Sequence, residues 1–143
     1  MEYFYALLTR SGVFDLWIYA IWAMRAALEE ELTDDGPNDA HEPGTKVQKY
    51  DGLVPGAAMW VLGLGEELYE KEEDLTPSAP NQGKPGRPGK LWTDGKAEFS
   101  EARWKFWKKR FGEVMEIEGT RKETVDIAKQ AYELMQKIDG EGA

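Results

Sequence analysis

Residues 103–111 interleave cations with aromatic rings: Arg103, Lys105, Lys108, Lys109 and Arg110 stand among Trp104, Phe106, Trp107 and Phe111. Guanidinium and ammonium groups attract oxyanions, and aromatic rings stack on bases or on cations. A phosphate, a nucleic acid or an acidic ligand is the chemistry this run offers. The stretch from Lys84 to Arg110 holds nine bases against three acids, and Arg87 belongs to it. The anion candidates are therefore Arg87, Arg103, Lys105, Lys108 and Lys109. A plainer account makes the rings core and the bases solvated or paired. Glu101–Lys105 and Lys109–Glu113 have the i,i+4 spacing of helical ion pairs, each contributing about 0.2–0.5 kcal/mol. We prefer that account, because Trp104, Trp107, Phe111 and Val114 recur as one buried helix face.

The second candidate is aromatic. Six Trp, six Tyr and five Phe in 143 residues could line a cavity, or build a core and an interface. Trp17, Trp22, Trp60, Trp104 and Trp107 fall on helical segments. As a pocket they would suit an apolar small molecule. A cofactor-free isomerase or cyclase would add Asp15, Tyr19 or Glu66 as acid/base and Arg103 as anion donor. As a core plus a dimer face they need no ligand, since Trp and Tyr are enriched in both. That reading is preferred. A third candidate is the acidic set Asp34, Asp35, Asp39, His41 and Glu42, whose oxygens could hold Ca²⁺ or Mg²⁺. Its spacing fails the EF-hand pattern, because Ala40 stands where the glycine belongs, and a solvated acidic turn is expected instead. The fourth is Gly86-Arg87-Pro88, similar to the centre of an AT-hook, which lays arginine in the narrow minor groove. It is one copy without flanking arginines, so a flexible linker or a lid is the better reading.

Absences narrow the chemistry further. The chain has no Cys and one His. There is no thiol nucleophile or zinc-thiolate site, and a Ser-His-Asp triad could use only His41. No metal or cofactor is expected. The net charge is −9, which disfavours nucleic acid and anionic membranes as general partners. The charge is uneven: residues 1–75 carry 16 acids and 5 bases, whereas the remainder is net basic. The two halves are expected to face each other, within one subunit or across a dimer.

Five helical segments must position these groups. Tyr3–Arg10 is a short first helix, stopped near Gly12. Val13–Leu32 is the second. Its front half, Leu16–Met24, is apolar on every side, as in a helix buried all round or lying in an interface. It ends in Glu29-Glu30-Glu31, at the pole of the macrodipole that prefers cations, so a basic neighbour is expected. Residues 33–52 read as an acidic loop with Asp51-Gly52 as a breaker. The third helix runs from Val54 to Glu73, with Pro55 in its first turn. Ala57, Ala58, Gly63 and Gly65 make it slim enough for a close neighbour. Residues 76–96 form a Pro/Gly-rich basic loop, extended and mobile by composition. Ser100–Glu118 is the fourth helix, capped by Ser100. Thr120-Arg121-Lys122-Glu123 reads as a capping box for the fifth. Its stripe is Val125, Ala128, Ala131, Tyr132, Met135 and Ile138, and the turn at Gly119 pairs it antiparallel with the fourth. No strand is evident. The fold expected is all-α: a single helical domain over 1–143, about five helices in an irregular bundle with two long loops. Glu2 stands where a secretory signal would be basic, and Leu16–Met24 is too short to span a bilayer. An intracellular protein, cytoplasmic by default, is expected.

Three segments, in order, resemble a family of fungal proteins classed as a domain of unknown function. They are Gly12-Val13-Phe14-Asp15 through Tyr19 to Glu29, Val54-Pro55-Gly56-Ala57-Ala58-Met59-Trp60, and Trp92 followed by Phe99 to Phe111. The last, FS-x-x-R-W-x-F-W-x-x-R-F, is the most specific, and the likeness runs roughly from Leu7 to Ile138. It implies a helical intracellular protein and brings no activity or catalytic residue to carry over. Members carry further helical sequence ahead of the first segment. A short form, or the C-terminal part of the domain, is therefore expected, with its second helix short of cover. The leading functional expectation is a non-catalytic interaction domain, homodimeric through the apolar face around Trp17–Met24. The alternatives are the aromatic-pocket binding protein or enzyme, and an anion-binding module using 84–110.

Overall fold

The computed structural model describes residues 2–12, 17–30, 32, 45–75, 86–92 and 97–140. Five α-helices carry the described chain: α1 (Glu2–Arg10), α2 (Trp17–Met24), α3 (Lys46–Glu70), α4 (Glu101–Val114) and α5 (Lys122–Asp139). Among the described residues the fold is all-α but for one two-residue ladder. The long α3 is the axis, packed on α1 and α5, and α4 lies against α5. Trp60, Leu64, Trp104, Trp107, Phe111 and Met135 fill the space between them and are almost wholly excluded from solvent. No helix among the described residues is long and apolar enough to cross a membrane.

The third helix begins eight residues before the Val54 expected from the sequence. Thr45 caps it: its hydroxyl accepts from the Gln48 N–H (3.2 Å), and the Gln48 side-chain oxygen accepts from the Thr45 N–H (2.9 Å). This reciprocal box satisfies two donors otherwise lacking partners and outweighs the breaker character of Asp51-Gly52. Pro55 therefore sits inside α3 rather than in its first turn, and forfeits the bond to the carbonyl four residues back. The slim stripe does admit a close neighbour. A Cβ on Gly65 would lie 2.6 Å from Ile138 Cδ1 of α5.

The second helix is not continuous. After Met24 it widens into a π-helical segment, Arg25–Glu29, and Glu30 is extended. Nor is it buried on every side: Ala20, Ile21 and Met24 are buried, whereas Tyr19 and Trp22 are exposed. A small antiparallel ladder, β1 (Glu73–Asp74) with β2 (Glu98–Phe99), is also present. Leu75 N–H extends it by donating to Ala97 C=O (2.7 Å). Two residue pairs leave no periodic pattern that a sequence reading could detect.

The cap on α4 is as expected: Ser100 Oγ accepts from the Arg103 N–H (3.2 Å). The start of α5 differs. Thr120 turns its hydroxyl back to Ile117 C=O, and Arg121 occupies the cap position without a side-chain bond. Asp51 of α3 supplies the acceptor instead. Its Oδ1 takes the Arg121 N–H (2.9 Å) and the Thr124 hydroxyl (2.6 Å). Gly119, at φ +91°, reverses the chain between α4 and α5. The two helices run antiparallel, since Lys108 meets Asp139 while Gly112 lies under Tyr132.

Candidate functional site

The most concentrated polar chemistry lies where three parts of the chain converge. The π-helical segment delivers Glu29. The cap at Ser100 sets α4 so that Arg103 and Trp107, one turn apart, face it. The turn 86–92 crosses above. Glu29 and Arg103 have no exposed side-chain surface. The carboxylate takes Arg103 Nε–H on Oε2 (2.8 Å) and Arg103 Nη2–H on Oε1 (3.0 Å). Trp107 Nε1–H adds to Oε2 (2.5 Å), and the Gly89 N–H adds to Oε1 (2.9 Å). The Glu29 carbonyl also accepts, from the Leu91 N–H (2.7 Å).

Arg103 is equally occupied. Its remaining donors go to carbonyls: Nη1–H to Gly86 (2.9 Å) and Glu98 (3.0 Å), and Nη2–H to Arg87 (3.1 Å). A guanidinium has five N–H donors in a fixed fork, and all five are used. Its face lies 4.9 Å from the Trp92 ring centroid and 5.5 Å from that of Trp107. The acidic end of the second helix thus meets its basic neighbour. Arg110 adds to this, donating to Leu28 C=O (2.8 Å) and to the Tyr50 hydroxyl (3.1 Å). Among the described residues, no buried side-chain polar atom lacks a partner. A carboxylate with four hydrogen bonds and a guanidinium with five have no capacity left for a substrate. The cluster clamps π segment, turn, ladder and α4 together.

Gly89 is the residue that permits the approach. A Cβ there would fall 2.5 Å from the Glu29 carbonyl oxygen and 2.6 Å from its Cβ. Residues 86–92 are therefore fastened to the interior, against the sequence expectation of a mobile loop. Residues 76–85 and 93–96 lie outside the described set.

The five anion candidates separate. Arg103 is inside the clamp. Arg87 is exposed on the turn. Lys105, Lys108 and Lys109 line one open cavity of about 560 Å³ with Glu113, Glu116 and Tyr132. Lys108 is buried and paired with Asp139 (2.6 Å), whose same oxygen accepts from Trp104 Nε1–H (3.1 Å). Lys105 pairs with Glu101 at 3.4 Å and Lys109 with Glu113 at 3.9 Å, on the surface.

The five tryptophans separate as well. Trp60, Trp104 and Trp107 are in the core. Trp17 packs edge-on to Phe99 (5.5 Å) beneath the Lys71 ammonium (4.5 Å). Trp22 is exposed and edge-on to Tyr19 (5.2 Å). Of the acid/base candidates, Tyr19 and Glu66 are exposed on different helices and Asp15 lies outside the described residues, while Arg103, the anion-donor candidate, is saturated. The acidic set from Asp34 to Glu42 also lies outside them. Sequence reasoning passed over Glu29 and Gly89 as site residues. The signal available was the misplaced acidic helix end, which called for a cation without saying which one.

A family model described as "Protein of unknown function (DUF3632)" matches residues 1–111. That span includes Glu29, Gly89, Arg103 and Trp107 and ends inside α4. No curated protein and no solved structure matches the chain.

Proposed function

The chain belongs to this family of proteins of unknown function, and from that starting point we propose that it is a non-catalytic helical interaction domain that pairs with a second copy of itself. The observation that carries the reading is an exposed aromatic face on α1 and α2. Phe4 is 57% exposed, Tyr19 47%, Trp22 40% and Leu7 37%. Ring contacts join them: Phe4–Tyr5 at 6.2 Å, Tyr5–Tyr19 at 6.5 Å and Tyr19–Trp22 at 5.2 Å. Aromatic residues are favoured at the buried centre of protein interfaces, where rigid rings lose little entropy on contact. The saturated Glu29–Arg103 cluster supports the non-catalytic half of the reading, because it offers a reactant neither proton nor charge.

A second copy fits the chemistry of the face. α2 carries no charged residue, so a two-fold contact centred on that helix would bring rings onto rings without burying an ion. The opposing term is long-range, from the net charge of −9 on each copy. Salt screens that repulsion. The pairing is expected to tighten as ionic strength rises, the reverse of a charge-driven assembly. Sedimentation velocity across micromolar concentrations, at low and high salt, tests this. A monomer mass throughout would overturn the proposal, and so would dissociation on adding salt.

A further inference from the structure

α2 runs for only eight residues before it widens. A helix so short does not hold itself in water, so its place depends on how its two ends are tied. Its C-terminal end leads into the π segment and the Glu29–Arg103 pair, which has no exposed side-chain surface. Its N-terminal end is tied differently. Trp17, the first residue of α2, stands edge-on to Phe99 of β2, with centroids 5.5 Å apart and planes at 81°. Lys71, the residue that ends α3, lays its ammonium in the corner between the two rings, 4.5 Å from the Trp17 centroid and 5.4 Å from that of Phe99. Glu73 Oε2 of β1 lies 3.1 Å from the same nitrogen. One ammonium therefore joins α2, the end of α3 and both strands of the ladder.

This joint differs from the buried clamp in two respects. It depends on a single positive charge, because a ring face attracts a cation and not a neutral amide. It is also within reach of solvent. The Lys71 side chain is 24% exposed, and Glu72, Glu73 and Asp74 beside it are exposed, which leaves an enzyme room to approach. Tyr19 and Trp22, the α2 part of the aromatic face, follow Trp17 within two turns, and Tyr19 stacks on Tyr5 of α1 at 6.5 Å. Whatever loosens the start of α2 therefore loosens that face.

We propose that the Lys71 corner is a latch on α2, that Lys71 is a site of lysine acetylation, and that acetylation opens the latch and weakens pairing through the aromatic face. The last step rests on the self-association reading; the latch itself does not. The reaction joins the Lys71 side chain to an acetyl thioester. The ammonium gives one proton to solvent, and the resulting amine attacks the thioester carbonyl. The new C–N bond forms as the C–S bond breaks, and the sulfur leaves with a second amine proton as a thiol. The product is a neutral amide, which offers no charge to either ring or to Glu73. The rings and Glu73 favour the ammonium inside the corner, so the amine reacts after the side chain has swung out, and acetylation traps the open position.

The test uses the full chain with acetyl-lysine placed at position 71 by genetic code expansion, beside Lys71→Gln, Lys71→Arg and Lys105→Gln. Lys105 is a surface control, with its side chain 52% exposed. Circular dichroism checks the fold, and hydrogen exchange reads the amides of α2 against those of α5. About tenfold faster exchange in α2 is expected for the acetylated protein and for Lys71→Gln. Wild-type rates are expected in α5 throughout, and in α2 for Lys71→Arg and Lys105→Gln. Sedimentation velocity is expected to show the same two α2-loosened proteins dissociating at about tenfold higher concentration than the wild type. A third readout is the reactivity of the wild type toward N-hydroxysuccinimidyl acetate, followed by mass spectrometry of peptides. Lys71 is expected to react more slowly than Lys105, and Trp17→Leu to narrow the difference. The proposal is overturned if acetylation leaves α2 exchange unchanged, if Lys71→Arg behaves as Lys71→Gln does, or if Lys71 reacts as fast as Lys105. A wild type that stays monomeric overturns the pairing reading instead, and α2 exchange then decides the latch alone.

Discussion

Replacing Glu29 by Gln keeps the shape of the side chain and removes its charge. The amide oxygen can still accept from Gly89 and from one Arg103 nitrogen. The amide nitrogen, however, would stand where Oε2 now accepts from Arg103 Nε–H and Trp107 Nε1–H. Two donors would then face a third, and the fully buried Arg103 guanidinium would lose its counter-charge. Removing one partner of a buried pair costs about 3–5 kcal/mol, against a total stability of about 5–15 kcal/mol for a domain. At about 2–4 °C per kcal/mol for a chain of this size, the melting temperature is expected to fall by roughly 10 °C. Thermal and urea unfolding followed by circular dichroism measure it. Replacing both partners, as Glu29→Leu with Arg103→Met, removes the unpaired charge but strands the carbonyls of Gly86 and Glu98 and the N–H groups of Gly89 and Trp107. Partial recovery is therefore expected. If Glu29→Gln costs less than about 1 kcal/mol, an ordinary surface-pair value, the cluster is not the clamp described above.

Other consequences follow from single contacts. Gly89→Ala meets backbone at 2.5 Å and is expected to cost about 1–3 kcal/mol by overpacking, with faster proteolytic cutting in residues 86–92. Gly65→Ala clashes with the tip of the Ile138 side chain and meets Leu134 at ordinary contact distance. Its clash is set against about 1 kcal/mol of gained helix propensity, so denaturation midpoints should hardly move. Asp51→Ala strips two bonds from the start of α5 and is expected to cost about 1–2 kcal/mol in urea unfolding. Trp22→Glu places a charge on the aromatic face. It should reduce the sedimentation mass to that of a monomer while leaving the melting temperature close to the wild type's, since Trp22 is 40% exposed already.

What was legible in the sequence was what local chemistry decides. Ser100 and the Trp104, Trp107, Phe111, Val114 stripe announced α4 and its buried face. The glycines of α3 announced a close neighbour. The start of α3 was misread because Asp51-Gly52 looks like a breaker when only adjacent residues are weighed. Thr45 and Gln48, a capping box just upstream, decided otherwise. Asp51 itself serves a helix whose start is 70 residues further on. The central pair was half visible. Glu29 stood at an unfavourable helix end, and Arg103 in a basic run, but 74 residues separate them and no spacing rule links such a pair. The exposed cations were separated from the buried ones only by the fold: Arg103 and Lys108 inside, Arg87, Lys105 and Lys109 outside.

The clamp and the Asp51 tether have nearly the same reach, 74 residues for Glu29–Arg103 and 73 for Asp51–Thr124. They also interlock along the chain, each enclosing one end of the other. Once Glu29 has closed on Arg103, the route from Asp51 to Thr124 runs through that link, about twenty residues on either side. The second closure then spans a little over half its former length. Loop entropy changes by about 0.6 kcal/mol per doubling, so the saving is roughly half a kcal/mol, and it is the same whichever closes first. Two side-chain clusters on different helices thereby assist one another's formation without touching, through the connectivity of the chain alone.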